Sequence, residues 1–173
     1  MRPDLEPGNP FPDIELPDHN GHHRRLLELA GGDPVVLNFY RGWWCPKEQQ
    51  FMRGLARLQD EAEVAYTRMV SVSVDPPETN AAFRAGLGVR WTFLSDTERE
   101  WLRELDLLES ADTLNYPYLP YAFTLYPDLT IHAVYNGYWF WGRPTNEELR
   151  RDLREITRRI RPDYDPQKAK SRT

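Results

Sequence analysis

Residues Pro34 to Tyr40 read Pro-Val-Val-Leu-Asn-Phe-Tyr. This is the near-continuous apolar run of a strand whose sheet is covered on both faces. The run gives way through Arg41-Gly42-Trp43-Trp44 to Cys45, Pro46 and the helix-forming stretch Lys47-Glu48-Gln49-Gln50. Pro suits the first helical position, so the segment reads as strand, loop and helix, with Cys45 at the mouth of the turn. The first N–H groups of a helix have no partner within it and carry the positive end of its dipole. They favour a sulfur beside them as thiolate, the nucleophilic form. The plain alternative is a lone cysteine packed as a small hydrophobe.

Around this unit the pattern alternates between strand and helix. Phe11 to Leu16, followed by the turn Asp18-His19-Asn20-Gly21, predicts a leading hairpin. Phe51, Leu55, Leu58 and Ala62 recur at helical spacing and predict one helix from Pro46 to near Tyr66. Thr67 to Val74 reads as the next strand. A short helix through Ala81, Ala82 and Phe83 should stop at Gly86-Leu87-Gly88, with Trp91 to Leu94 a brief strand. Ser95 and Glu98 have capping-box spacing for a helix that buries Trp101, Leu105 and Leu108. Tyr121 to Leu125 and Thr130 to Tyr135 flank the tight turn Tyr126 to Leu129. Thr145 and Glu148 make a second capping box, opening a last helix with Leu149, Leu153, Ile156 and Ile160 on its buried stripe.

This order predicts an α/β chain with parallel pairing in its first half and an antiparallel hairpin in its second, the arrangement of a thioredoxin-like domain. The expected fold is a mixed central sheet with helices on both faces and an N-terminal β-hairpin. One domain is expected over residues 1–160, with residues 161–173 a polar, flexible tail.

With 173 residues and a formal charge of −5, the chain has no basic block, which argues against nucleic acid or an anionic membrane surface as partner. The sole cysteine cannot form an internal disulfide, no N-terminal stretch resembles a signal peptide, and no run reaches membrane-spanning length. A cytoplasmic protein is expected. His19, His22 and His23 sit in a polar turn without a ligand constellation, so no metal site is assigned and no cofactor is expected.

The run Phe39 to Glu48 resembles the peroxidatic-cysteine loop of peroxiredoxins and other redoxins of the alkyl hydroperoxide reductase/thiol-specific antioxidant family, where Cys-Pro-x-Glu commonly opens the helix. Gly8 to Asp18 is similar to that family's N-terminal hairpin, and Phe93-Leu94-Ser95-Asp96 to its third-strand segment. Phe123 to Asp128 resembles the strand and turn after its conserved arginine or, in thioredoxins, the cis-proline, here Pro120. The likeness spans about residues 8 to 160.

It implies a one-Cys thiol peroxidase: a peroxide oxidises Cys45 to sulfenic acid, which an external thiol, of thioredoxin or glutathione type, reduces. Two side chains the resemblance implies are missing, since Gly42 stands for a threonine and Pro120 for an arginine. The second position of a thioredoxin-type Cys-x-x-Cys is Glu48. Arg41 and Arg143 are the candidate replacement cations, and Glu48 could orient an arginine or relay a proton. Each arginine could equally be solvated or paired with a carboxylate, and Glu48 could simply stabilise the first helical turn. Trp43 and Trp44 are candidate pocket walls, although one could fill the core and the other lie on the surface. The aromatic run Tyr138 to Trp141 could cover the cysteine loop or form a homodimer face. A binding domain without peroxidase chemistry and a monothiol reductase acting through mixed disulfides both stay open.

Overall fold

The structure, a computed structural model, describes residues 1–164. The chain opens with an antiparallel pair, β1 (Glu15–Pro17) and β2 (His23–Arg25), leading into a short helix, α1 (Leu26–Ala30). Five further strands form the main sheet: β3 (Val35–Phe39), β4 (Arg68–Ser73), β5 (Thr92–Ser95), β6 (Tyr121–Leu125) and β7 (Ile131–Asn136). Their order is β5-β4-β3-β6-β7, parallel across β3, β4 and β5 and antiparallel across β3, β6 and β7. The expected mixed sheet, with its leading hairpin, is what the chain forms.

All five residues of β3 are buried because neighbouring side chains enter opposite layers. Val35, Leu37 and Phe39 join the layer covered by the N-terminal segment, α1 and α5 (Glu100–Glu104). Val36 faces the other layer, under α2 (Pro46–Ala56), α3 (Gln59–Val64), α4 (Pro77–Leu87) and α6 (Asn146–Ile160). Asn38 faces that layer too, accepting from Ser71 Oγ at 2.7 Å, so its amide is not left unpaired in the core.

Pairing also determines where the loops go. Phe39 lies opposite Val72 in the parallel β4 and opposite Tyr121 in the antiparallel β6, while Tyr121 lies opposite Asn136 of β7. The exits of β3, β4 and β7 and the entrance of β6 therefore share one end of the sheet.

Three local expectations are corrected. The helix after Pro46 is two helices. At the break Arg57 N–H turns to Gly54 O at 3.2 Å and Leu58 N–H to Leu55 O at 2.9 Å, a tightened turn, while Asn146 Nδ2 also donates to Gly54 O at 2.9 Å. The α4 helix stops where expected, at Leu87, with Gly88 at a left-handed φ of 67° as its cap. No Ser95–Glu98 capping box forms. Ser95 closes β5, and the Asp96 carboxylate instead accepts from Glu100 N–H at 3.0 Å and Leu102 N–H at 2.9 Å. The buried stripe of α5 and the turn after it is consequently Leu102 and Leu105, with Leu108 exposed.

Thr145 and Glu148 do form their reciprocal box at the start of α6, over buried Leu149, Leu153 and Ile156. Residues 165–173, most of the expected tail, lie outside the described residues. Among the described residues no helix is long and apolar enough to cross a membrane. Because the Thr145 hydroxyl satisfies an otherwise free helix-start amide, Thr145→Ala is expected to cost about 1 kcal/mol, read as a lower midpoint in urea with an unchanged slope.

Candidate active site

Cys45 caps α2 in an extended conformation (φ −81°, ψ 118°) and is 4% exposed. Its N–H donates to Gly42 O at 3.3 Å and its carbonyl accepts from Gln49 N–H at 3.0 Å. With Pro46 in the first turn, the remaining helix-start amides are those of Lys47 and Glu48. Cys45 belongs to neither apolar layer; it lies between them, at the end of the sheet where the loops gather.

The loop before it needs Gly42. At φ +148° a side chain is strained, and a Cβ there would lie 2.6 Å from Trp44 Nε1 and 3.2 Å from Asp75 Oδ2. The Arg41 guanidinium lies over the Trp44 ring, 5.2 Å from its centroid, and donates to Asp112 Oδ2 at 2.9 Å. Trp44 is half-buried and Trp43 is 50% exposed, so neither indole fills the core.

Glu48, one turn along α2 from Cys45, is wholly buried and pairs with Arg143 at 2.5 Å. Arg143 is buried as well; it follows the 3-10 turn Phe140–Gly142 and donates its Nη1 to Gly137 O at 2.8 Å. Gly137 leaves room for this arginine, since a Cβ there would lie 2.7 Å from Arg143 Cγ and 3.0 Å from Pro120 O. Burial raises the Glu48 carboxyl above its ordinary pKa, with the Arg143 charge and hydrogen bond opposing the shift. Arg41 Nε, Arg143 Nε and Glu48 Oε2 are buried without hydrogen-bond partners among the described residues.

Arg41, Lys47, Pro120, Tyr138, Trp139 and Arg143 line a groove of about 470 Å³ at this end of the sheet. Pro120 is buried on a trans peptide, and its carbonyl accepts from Gly137 N–H at 2.7 Å. The aromatic run splits. Tyr138 and Trp139 wall the groove, Phe140 lies under the Arg143 guanidinium at 5.5 Å, and Trp141 is 92% exposed.

A sequence profile described as the AhpC/TSA family matches residues 7–134. The chain belongs to this family. Two relatives from Mycobacterium tuberculosis, both named provisionally as peroxiredoxins, are 37% identical over 97 residues and 31% identical over 98. Those alignments cover 54% and 57% of this chain but only 61% and 62% of the relatives, so the chain spans about three fifths of their length. Among solved structures, peroxidoxin BcpB from Mycobacterium tuberculosis superposes with a TM-score of 0.74 at 24% identity, over 91% of this chain and 99% of that one. AhpC from Enterococcus faecalis gives 0.74 at 18%, over 94% and 97%. At these identities the two structures show a shared fold.

Within this AhpC/TSA chain, the space a threonine at position 42 would need is taken by the Trp44 indole and the Asp75 carboxylate. Where an arginine was implied at Pro120, the guanidinium reaches the groove from Arg143 instead. Sequence reasoning missed Asp75 and Asp112. Asp75 could have been found from its place just beyond a parallel strand, because paired parallel strands bring their C-terminal loops together. Asp112 carries no comparable signal, being 71 residues from its partner Arg41.

A carboxyl whose folded pKa is raised keeps its proton where the unfolded chain has released it, so the folded state loses stability as pH rises past roughly 4.3. The stability of wild type minus that of Glu48→Gln is therefore expected to fall as pH rises from about 4 to 7. Urea titrations across that range check it; a difference growing in the wild type's favour would mean that Arg143 outweighs burial.

Proposed function

We propose that this chain is a one-Cys thiol peroxidase acting in a reducing, cytoplasmic setting. The observation that carries the reading is the placement of Cys45 at the start of α2, two residues before Lys47, which lines a groove together with Arg41 and Arg143 although Cys45 itself does not. Membership of the AhpC/TSA family supports it.

In the oxidative step the Cys45 thiolate attacks the terminal peroxide oxygen. An S–O bond forms, the O–O bond breaks, and the departing alkoxide takes a proton to leave as alcohol, or as water from hydrogen peroxide. Arg41 and Arg143, each with an uncommitted Nε–H, would stabilise the charge that moves onto the departing oxygen. Glu48 holds Arg143 in place. An external thiol then displaces water from the sulfenic acid to give a mixed disulfide, and a second thiol releases Cys45 as the free thiol. The chain holds one cysteine, so the reductant must come from another molecule, a small thiol or a thioredoxin-type protein.

A binding domain without turnover is the second reading, favoured by the 4% exposure of Cys45. Reduced protein given one equivalent of peroxide is expected to yield a trappable sulfenic acid far faster than free cysteine does. Cys45→Ser should abolish turnover, and Arg143→Met should slow oxidation about 100-fold. Oxidation no faster than that of an ordinary thiol would leave the binding reading. Exposed Trp139 and Trp141, with half-exposed Tyr138, suit a homodimer contact. Sedimentation velocity should show a dimer that Trp141→Glu dissociates, whereas a wild-type monomer would refute it.

A further inference from the structure

One of the contacts that hold the loop presenting Cys45 comes from a buried polar cluster to which four elements contribute. At the exit of β3, Tyr40 O–H donates to Asn80 Oδ1, and Ser73 Oγ of β4 donates to the same oxygen at 3.2 Å. Asn80, on α4, donates its Nδ2 to Ser95 Oγ of β5 at 2.9 Å and to the Asp75 carbonyl at 3.3 Å. Asp75 N–H donates to Ser73 Oγ at 3.2 Å. From this anchored position the Asp75 carboxylate reaches across to the cysteine loop, where its Oδ2 accepts from Trp43 N–H at 3.0 Å. The carboxylate is buried, and burial raises its pKa against those hydrogen bonds.

We infer that Asp75 is a positioning residue for Cys45: its carboxylate sets the conformation of residues 41–45 by taking the Trp43 amide, over a Gly42 left bare by the indole of Trp44. Position 42 cannot carry a side chain while the indole and the carboxylate lie where they do, so glycine, indole and carboxylate form one interdependent unit. Trp43 and Cys45 are two residues apart, and a shift of the Trp43 amide moves the helix cap that carries the sulfur. Asp75 acts through that amide and touches neither sulfur nor groove. Its catalytic consequence rests on the peroxidase reading; its effect on the loop does not.

Three readouts separate the claims. Hydrogen exchange at the Trp43 amide and alkylation of Cys45 by iodoacetamide need no peroxide, whereas sulfenic acid formation under one equivalent of hydrogen peroxide does. For Asp75→Ala, faster Trp43 exchange and Cys45 alkylation changed about 10-fold are expected, with peroxide oxidation slowed about 10- to 100-fold. Asp75→Asn, which keeps an acceptor oxygen, should recover most of each loss. Should Asp75→Ala fail to fold, Asp75→Glu keeps the charge while displacing the oxygens by one methylene, and should change alkylation about 10-fold at a near-wild-type melting temperature. A folded Asp75→Ala or Asp75→Glu protein with wild-type Trp43 exchange and Cys45 alkylation overturns the inference, as does an Asp75→Asn protein no better than Asp75→Ala. Slow peroxide oxidation in the wild type, with both peroxide-free readouts behaving as expected, sinks the peroxidase reading alone.

Discussion

The buried pair between Glu48 and Arg143 joins the two halves of the chain at the candidate site. Glu48 comes from the first turn of α2, after the parallel half of the sheet has begun; Arg143 comes from the connection between β7 and α6. Both ions are out of water, where desolvation cancels much of their attraction, so such a pair adds little net stability compared with apolar residues of the same volume. Breaking it by removing one partner is another matter, costing about 3–5 kcal/mol because the other charge is left buried alone. The interaction acts less as a source of stability than as a geometric requirement. Wherever α2 begins, Arg143 must arrive, and Gly137 is the position that leaves its side chain room.

That requirement explains how a chain lacking a guanidinium at Pro120 can still present one to the groove. Arg143 is held on two sides, by Glu48 and by the Gly137 carbonyl, and keeps its Nε free. Arg41 is arranged in a similar way, with one nitrogen on Asp112, its plane over the Trp44 ring and its Nε free. In each case a carboxylate fixes the guanidinium without using all of its donors, and pre-oriented donors of this kind stabilise developing charge with little reorganisation.

What could be read from the sequence divides along the same line as local and distant chemistry. The β3 run, the strand pair around Tyr126 to Leu129, the capping box at Thr145 and the cysteine at the start of a helix are all written in neighbouring residues, and each stands where expected. The break after Ala56 could not be read there, because helical spacing continues through Leu58 and Ala62 and part of the competing bond at Gly54 comes from Asn146. The start of α5 departs from expectation for a related reason. Ser95 has the spacing of a cap, but its hydroxyl is engaged by Asn80, and the Asp96 carboxylate, which also accepts from Tyr118 O–H, takes the helix-start amides from before the Arg99 cap position. At the candidate site Cys45, Arg41 and Glu48 were legible as one short segment. The pairing of Glu48 with Arg143, 95 residues away, and of Trp43 with Asp75, 32 residues away, belongs to the topology that brings strand ends together.

A thiol only 4% exposed imposes different demands on the two halves of a peroxidase cycle. Hydrogen peroxide is small, and reaching the sulfur asks for only a narrow opening. A thiol reductant is larger and must bring its own sulfur into line with the S–O bond, which needs the residues 41–45 loop to move aside. The contacts resisting that movement include Trp43 N–H on Asp75, Gln49 Nε2 on the Trp43 carbonyl, and Arg41 on Asp112. Replacing the Cys45 thiol by the bulkier sulfenic acid would add an oxygen to a residue that is already buried, pressing on that loop from within. On the peroxidase reading, closure would favour oxidation and the oxidised sulfur would favour opening, so the loop that covers the thiol would also govern access by the molecule that regenerates it.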